Sequence, residues 1–463
     1  MFKYLYIFTL LPIFVISQEY KKNISEIISV SGSLTEKMKS KNGKMFLYEK
    51  IGNEDYILDS TNIVSGKFSF DKRLFYSGVY KLAFNNINNS LDFVINPSEL
   101  SKKSINIEIN NYRIKNNYNI NNSLENKIKK LYFSKEEEVQ SKIKLIKKSQ
   151  KTRDQKIQEI NSLKNEIFQY GLSLNNEFPG TYYGMIISKM KSPYPDVSHL
   201  YFNDLDFTDQ CIVRSSLLPT RIQSYIQKFN DYKNNKYGFH DAIDVVMDYA
   251  KNNGKQNDKV VEFCMYNMLD GFYNTGQTSS RDNDKIWDNL CDYIMNEYIF
   301  GEGCGDDIEP SELLKERAQD FKKLQIGSIP PNISTKDINN RNFNLENISK
   351  KNDYTVIMFW ASHCNHCMAE MPGFANWYNN TPNRNFEIVA VSLDGQKSKW
   401  EKTVEENNFN WTNICQFKVY KSPICLDYKI KKTPSIFVLN NDMEIVLKPK
   451  STNQLRSFLL ANK

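Results

Sequence analysis

The spacing of apolar and polar positions changes along the chain, and the first region has the pattern of short strands. Apolar-rich runs occur at residues 28–32, 45–48 and 92–95, and residues 105–109 alternate with a period of two. Alternation of this kind is typical of a strand with one buried face. Glycine and asparagine clusters separate the runs, as expected for turns. The pattern predicts a small antiparallel β domain over residues 24–118.

A helical period replaces this pattern after residue 122. Apolar residues now recur at spacings that add up to whole helical turns, with charged residues between them. They are Leu124, Ile128, Leu131, Val139, Ile143, Ile146, Ile157, Ile160, Ile167 and Tyr170. One long amphipathic helix or two consecutive ones are predicted, acting as a connector over residues 122–171. A dimerising coiled coil is the alternative, but it needs sustained heptads, and the repeat breaks between Ile146 and Ile157.

Residues 172–322 have the pattern of a helical domain. The predicted helices span residues 178–190, 219–234, 238–252, 259–272 and 284–298. Methionine and aromatic residues recur there at helical spacing, which is more often a packed core than a ligand set. His199 and His240 have no second ligand at metal spacing, so both are interpreted as structural.

Strands and helices alternate in the last region, after a linker that contains Gly327, Pro330 and Pro331. The predicted strands are residues 354–359, 386–393, 435–439 and 444–448, and the predicted helices are residues 365–378, 399–407 and 453–461. This alternation predicts an α/β sheet with helices on its faces over residues 323–463. The whole chain is therefore predicted to be a multidomain α+β protein with a central all-helical domain.

Composition agrees with a folded chain and argues against a nucleic-acid partner. The 463 residues are 40% hydrophobic and 25% charged, which is near the globular average. The length suggests about three domains. The formal net charge is +7, but basic residues are mixed with acidic ones rather than clustered in the stripe that a nucleic-acid binder presents.

The first residues resemble an export signal. Lys3 precedes an apolar run over residues 4–16, and the small or apolar Val15 and Ser17 precede polar sequence from Gln18. This arrangement predicts a signal peptide over residues 1–17. The run is shorter than the about 20 residues of a membrane span. We therefore expect a mature protein in the periplasm or cell envelope, with no membrane insertion after signal cleavage.

Eight cysteines fit an oxidising compartment. Six of them lie outside the motif described next: Cys211, Cys264, Cys291, Cys304, Cys415 and Cys425. Their spacing does not choose between connectivities. Buried free thiols, or one or two structural bridges, are the interpretations that the sequence leaves.

The candidate chemistry lies in the Cys-x-x-Cys pair formed by Cys364 and Cys367, at the join between a predicted strand and a predicted helix. A cysteine at a helix N-terminus meets free N–H groups and the positive end of the dipole, which stabilise its thiolate. The second cysteine, one turn on, can form or resolve a disulfide with it. A zinc site would need a second ligand pair, and Cys415 and Cys425 are not suitably spaced. A purely structural bridge would close too small a loop to stabilise much. No metal and no cofactor are predicted.

Residues 359–372, Phe-Trp-Ala-Ser-His-Cys-Asn-His-Cys-Met-Ala-Glu-Met-Pro, resemble the TlpA/ResA-like thioredoxin family of bacterial envelope oxidoreductases. The resemblance continues at residues 327–331, Gly-Ser-Ile-Pro-Pro, and at residues 432–437, Lys-Thr-Pro-Ser-Ile-Phe. It covers about residues 322–463 and implies a C-terminal thioredoxin-like α/β domain. The order of export signal, β domain, helical domain and this domain also resembles multidomain members from Gram-negative bacteria.

By position, the resemblance implies that Cys364 is the attacking thiol and Cys367 the resolving thiol. Pro434 would be a cis-proline facing the disulfide, leaving the backbone of Thr433 open to a substrate strand. The alternative is an ordinary proline at a strand start. Glu370 would be held near the cysteines to exchange a proton with the resolving thiol. Its alternative is a solvated helix carboxylate.

Two positions depart from the family's commonest form. His363 stands where tryptophan usually precedes the first cysteine, and Asn365-His366 replaces a pair that usually ends in proline. An imidazole here can favour the Cys364 thiolate, which stabilises the reduced form and makes the disulfide more oxidising. The family label indicates a reductase, whereas this pair favours an oxidant or isomerase. The residues expected to tune the pair or to contact substrate are His366, Asn365, Trp360 and Thr433.

The sequence therefore predicts an enzyme, a thiol–disulfide oxidoreductase. Its partners would be cysteine-containing exported proteins and an unidentified redox partner protein. One alternative is a scaffold that uses this domain as a dock, against which the intact cysteine pair argues. A thiol peroxidase is the other, but that chemistry needs threonine and proline where Ala361 and Ile357 stand.

Overall fold

The computed structural model describes residues 20–35, 43–190, 194–231, 233–235, 237–251, 254–276, 285–301 and 309–462. The predicted signal peptide and Cys304 lie outside the described residues. The chain divides into two compact units. The first comprises Met1–Phe229 and Val245–Val261, and the second comprises Asn230–Asp244 and Glu262–Lys463.

Where it is described, the N-terminal part of the first unit contains nine strands in two sheets. They are β1 (Ser25–Leu34), β2 (Lys44–Ile51), β3 (Glu54–Asn62), β4 (Lys67–Ser69), β5 (Arg73–Tyr76), β6 (Gly78–Phe84), β7 (Ser90–Ile95), β8 (Ser104–Ile109) and β9 (Tyr118–Asn119). One sheet has the order β4-β1-β8-β9, with β5 also on β1, and the other has the order β3-β2-β6-β7. Buried apolar residues of both sheets form one core, as the alternating pattern of β8 predicts.

One strand pair differs from the predicted antiparallel arrangement. β1 and β8 run parallel, from Ser29 opposite Ser104 to Leu34 opposite Ile109, whereas the other strand pairs described in this unit are antiparallel. A parallel pair needs a long crossover instead of a hairpin turn. The strands between β1 and β8 supply the length of that crossover. The parallel pairing cannot be read from the alternation of residues within either strand.

The connector is a helical hairpin made of α1 (Leu124–Lys148) and α2 (Arg153–Glu177). The helices run antiparallel, because Lys135 pairs with Glu166 at 2.6 Å and the Lys156 Nζ donates to the Lys147 carbonyl at 3.2 Å. Their apolar positions form a shared core. The break in the repeat after Ile146 is the turn between the helices. The face that a dimerising coiled coil would use is thus partly occupied within the hairpin, where Ile128, Val139, Ile143 and Ile167 are buried, while Leu124, Leu131 and Ile157 stay exposed.

The middle of the chain is helical, as predicted. Its helices are α3 (Tyr182–Met190), α4 (Leu217–Phe229), α5 (Gly238–Lys251), α6 (Asp258–Gly276), α7 (Lys285–Ile294) and α8 (Glu312–Lys322), and a π-helix covers Met295–Ile299. Tyr182, not residue 178, begins α3, since Phe178 ends α2 and Pro179-Gly180 follows. No helix in the described ranges is both long and apolar enough to cross a membrane.

The C-terminal part of the second unit is an α/β domain. Its elements are β10 (Ser334–Lys336), β11 (Asn342–Asn344), α9 (Leu345–Ser349), β12 (Tyr354–Trp360), α10 (Asn365–Asn379), β13 (Phe386–Ser392), α11 (Lys397–Glu406), β14 (Thr412–Cys415), α12 (Pro423–Asp427), β15 (Ser435–Asn440), β16 (Ile445–Leu447) and α13 (Thr452–Ala461). The main sheet has the order β14-β13-β12-β15-β16. β14, β13 and β12 are parallel, and β15 and β16 are antiparallel to their neighbours.

The carboxyl end of the central strand β12 is the position of the candidate site. Six of its seven residues are buried, which accounts for its unbroken apolar run. Because β12 and β13 are parallel, their carboxyl ends meet at one edge of the sheet. The Cys-x-x-Cys motif follows β12 at this edge, and Asp394 follows β13. Residues that are distant along the chain therefore converge beside the cysteines.

Candidate active site

The junction between β12 and α10 holds both cysteines, which form a disulfide. Cys364 is the N-cap of α10, and its sulfur accepts the Cys367 N–H at 3.2 Å. Cys364 is half-buried, whereas Cys367 is completely buried. A sulfur at this position is stabilised as a thiolate by the N–H group and the helix dipole. Cys364 is thus the sulfur that a substrate can reach, and Cys367 lies behind it.

The Thr433–Pro434 peptide bond is cis, and its loop lies against the disulfide. The Thr433 carbonyl oxygen is 3.5 Å from the Cys364 Sγ. The position of the loop follows from the sheet, because Ser435 at the start of β15 stands opposite Phe359 near the end of β12. The cis geometry and the proximity agree with the resemblance. The substrate-binding role of Thr433 stays a prediction.

Glu370 is tied to two neighbours. Its Oε1 lies 3.2 Å from the His366 Nε2, one turn earlier on α10. Its Oε2 accepts hydrogen bonds from the Thr452 backbone N–H at 2.9 Å and from the Thr452 hydroxyl at 3.1 Å. The carboxylate thus joins α10 to the start of α13 and is not simply solvated. Proton exchange between Glu370 and Cys367 stays a prediction.

Asn365 and Trp360, the other two predicted residues, have opposite environments. Asn365 is exposed at the first position of α10. Trp360 is completely buried and packs edge-to-face on Phe409, in the same core cluster as Cys367. Trp360 therefore offers no surface to a substrate, and any effect it has on the cysteines acts through packing.

Asp394 is a residue of the site that the sequence analysis missed. Its buried carboxylate accepts the Ser362 N–H at 2.9 Å, the Ser362 hydroxyl at 2.6 Å and the Ser392 hydroxyl at 2.8 Å. The His363 Nδ1 lies 3.6 Å from it. Asp394 thus holds the turn that precedes Cys364. The sequence contained one indication of this residue, because polar residues directly follow both β12 and β13. That indication predicts a shared site only once β12 and β13 are known to be parallel neighbours.

The remaining described cysteines are free thiols: Cys211, Cys264, Cys291, Cys415 and Cys425. Burial raises the pKa of Cys211 to about 12 and also raises the pKa values of Cys415 and Cys425. A raised thiol pKa leaves little thiolate at neutral pH, so these groups are poor nucleophiles. Within the described ranges, no three histidine, cysteine or acidic side chains are grouped to hold a metal ion.

Comparisons with known proteins agree with this site. Residues 352–445 match the family model described as thioredoxin-like. The thiol-disulfide oxidoreductase ResA of a Bacillus cereus strain is 25% identical over 151 residues, 30% of this chain and 80% of that protein. The sporulation thiol-disulfide oxidoreductase A of Bacillus subtilis (strain 168) is 28% identical over 117 residues, 24% of this chain and 69% of that protein.

A solved thioredoxin domain of a thiol-disulfide oxidoreductase from Bacteroides vulgatus is 26% identical. The match covers 30% of this chain and 98% of that one, with a TM-score of 0.28. The family match at residues 352–445 contains the strand β12, the cysteine pair and the cis-proline loop. At its C-terminal end the chain thus carries a thioredoxin-like thiol–disulfide oxidoreductase domain, with the Cys364–Cys367 pair at the start of its helix α10.

Proposed function

We propose that this chain is an envelope enzyme that exchanges the Cys364–Cys367 disulfide or dithiol with cysteines of exported proteins. The observation that carries the proposal is the unequal burial of the two sulfurs, with Cys364 half-buried at a helix N-terminus and Cys367 completely buried. Such an arrangement suits one sulfur to meet an external disulfide and the other to resolve the resulting bond.

In the reducing direction, the Cys364 thiolate attacks one sulfur of a substrate disulfide. The substrate S–S bond breaks, a mixed disulfide forms, and one substrate thiolate leaves. The Cys367 thiolate then attacks the Cys364 sulfur, which restores the Cys364–Cys367 disulfide and releases the second substrate thiolate. Two electrons pass to the substrate, and the reverse sequence oxidises a substrate dithiol. A second protein disulfide or dithiol, the unidentified redox partner, must then reset the enzyme.

The N-terminal pattern supports an envelope location for this chemistry. A charged tip, a short apolar run and small residues before Gln18 are the features of a cleaved signal peptide. In this proposal the mature chain begins near Gln18 and works in the periplasm. Mass spectrometry of the protein from a periplasmic fraction tests this, and an intact N-terminus on membrane-bound material would contradict it.

Trapping of mixed disulfides tests the exchange reaction. A Cys367→Ala variant cannot resolve the mixed disulfide, so substrate proteins should remain bound to Cys364 and be released by dithiothreitol. Cys415→Ala, which removes a half-buried thiol outside the pair, is the matched control and should trap nothing. An insulin-reduction assay of the unaltered chain separates an enzyme from a scaffold. Absence of both insulin reduction and trapping would favour the scaffold.

A further inference from the structure

The two histidines beside the disulfide are more exposed than the carboxylates they contact. The His363 and His366 side chains are 59% and 63% exposed, while their acidic neighbours Asp394 and Glu370 are only 3% and 23% exposed. The imidazoles become cations when protonated, whereas the two carboxylates are turned inward. Beside Cys364 the two imidazoles are therefore more exposed to a substrate than either carboxylate.

Both carboxylates are also occupied by donors from the protein itself. Asp394 accepts hydrogen bonds from Ser362 and Ser392, and Glu370 accepts two from Thr452. Both carboxylates are thus fixed by contacts inside the protein, and the more exposed groups at the rim of the site are the two imidazoles.

The lysines of the loop before the cis-proline differ in their partners. Lys429 pairs with Asp320 at 3.0 Å, and Lys431 pairs with Asp270 at 2.7 Å. Lys432 is half-buried, and among the described residues no acidic side chain lies within ion-pair distance of it. Burial, and then the nearby charge of Lys450, lower the pKa of Lys432. An ammonium group beside a like charge is stabilised when an anion arrives.

Lys432 lies in the loop beside the disulfide. It directly precedes Thr433, whose carbonyl oxygen is 3.5 Å from the Cys364 Sγ. In the mixed disulfide the substrate cysteine is bonded to that sulfur, so the residues beside this cysteine lie next to the loop. Lys450 directly precedes Ser451 and Thr452, and Thr452 binds Glu370. Both lysines are therefore close along the chain to residues that surround the disulfide.

We propose that this site selects protein segments that carry an acidic side chain close to their reactive cysteine, and that Lys432 is the residue that selects them. The inference rests on the proposed exchange reaction. A partly buried ammonium is screened less than a fully exposed one, so its attraction for a carboxylate persists at physiological salt. Complementary charge of this kind raises the rate of productive encounter and disfavours basic partners.

The test uses three disulfide-bonded peptides of otherwise identical sequence. The residue next to the cysteine is Glu in the first peptide, Gln in the second and Lys in the third. The full chain is assayed for kcat/KM on each peptide. We expect kcat/KM to be about tenfold higher for the Glu peptide than for the Lys peptide. Salt at about 1 M should reduce this ratio, because it screens the charges. Lys432→Gln should remove most of this preference, and Lys432→Glu should reverse it.

Lys351→Gln is the matched control. Lys351 is exposed and lies just before the amino end of β12, whereas the cysteines follow the carboxyl end of this seven-residue strand. The variant should keep the wild-type preference. If the unaltered chain exchanges none of the peptides, the proposed function itself fails. If it exchanges all three at equal rates, or if Lys432→Glu leaves the preference unchanged, the exchange stands and the selection by Lys432 is overturned.

Discussion

His366 and Glu370 form a pair across one turn of α10, with the His366 Nε2 3.2 Å from the Glu370 Oε1. His366 stands between the two redox cysteines in the chain, and Glu370 is anchored by Thr452 of α13. The imidazole that replaces the usual proline is therefore held by a carboxylate that has its own fixed partner. Through these contacts the helix that carries the redox pair is joined to α13, the last helix of the domain.

The first prediction concerns the reduction potential. We expect a value above the about −270 mV of thioredoxin, because an imidazole near the helix start favours the Cys364 thiolate and so the reduced form. His366→Pro should lower the potential, by up to about 60 mV for a two-unit change in thiol pKa. Proline is tolerated in the first turn of a helix, so α10 should persist. Equilibration in glutathione buffers measures the potential, and thiolate absorbance against pH measures the pKa.

His366→Ala is the control for that experiment, because it removes the imidazole without adding the rigid ring. Both variants should shift the potential in the same direction. If neither the potential nor the Cys364 pKa changed in either variant, His366 would be a surface residue with no effect on the redox pair.

The second prediction is the order of thiol reactivity. In the reduced protein Cys364 should be alkylated first, because it is half-buried at a helix N-terminus while Cys367 is completely buried. Cys211, Cys415 and Cys425 should react far more slowly, since burial raises their pKa values and leaves little thiolate. Mass mapping after timed iodoacetamide treatment gives the order. Earlier modification of Cys367 would reverse the assignment of attacking and resolving thiol.

The third prediction separates two roles of Glu370. Glu370→Ala removes the acceptor of two Thr452 hydrogen bonds and should lower the free energy of unfolding by about 1–2 kcal/mol. Glu370→Gln keeps an oxygen acceptor and should recover most of that loss. If Glu370 also exchanges a proton with Cys367, both variants should resolve the mixed disulfide more slowly. Urea unfolding and stopped-flow resolution are the two measurements, and a normal resolution rate in Glu370→Gln would leave Glu370 a purely structural role.

The fourth prediction concerns Asp394, whose buried carboxylate holds Ser362 and Ser392. Asp394→Ala leaves several buried donors without an acceptor, so we expect a loss of about 2–3 kcal/mol in the free energy of unfolding. Because the turn before Cys364 loses its anchor, the rate of Cys364 alkylation should also change. Asp442→Ala, at an exposed turn of the same domain, is the control and should alter neither property. Unchanged stability in Asp394→Ala would show that the turn holds without this residue.

The fifth prediction concerns the first unit, where Glu125 is buried at the start of α1. Its carboxylate accepts hydrogen bonds from the Asn96 side chain and from the Tyr182 and Tyr183 backbone N–H groups, each at 2.7 Å. Burial outweighs these bonds and raises the pKa of Glu125 to about 7. Between the unfolded pKa of about 4.3 and the folded value, the folded state binds more protons than the unfolded state.

The stabilisation linked to this proton is therefore complete below the unfolded pKa and is lost as the pH rises through about 7. Urea unfolding of the wild-type chain and of Glu125→Gln, compared between about pH 5 and pH 8, isolates this contribution. The wild-type free energy of unfolding should fall with rising pH more steeply than that of the variant. Parallel pH profiles would show that Glu125 is ionised throughout this range.

The sequence by itself determined the local chemistry of this protein. An unbroken apolar strand, a Cys-x-x-Cys pair and a helix are consecutive along the chain, so their junction and the N-cap position of Cys364 depend on neighbouring residues alone. The same holds for the helical spacing of α1 and α2 and for the break that becomes their turn. Local periodicity was sufficient for these features because hydrogen bonds within a helix or a turn join residues a few positions apart.

The tertiary structure alone decided what surrounds the cysteines. Thr433 reaches Cys364 across 69 residues, Thr452 reaches Glu370 across 82, and Asp394 reaches Ser362 across 32. These contacts depend on the order and direction of the strands in the sheet, and so does the parallel pairing of β1 with β8. Residue patterns within a strand report which face is buried but not which strand lies beside it. For that reason the role of Asp394, and the lack of an acidic partner for Lys432 within the described part of the chain, emerged only from the folded chain.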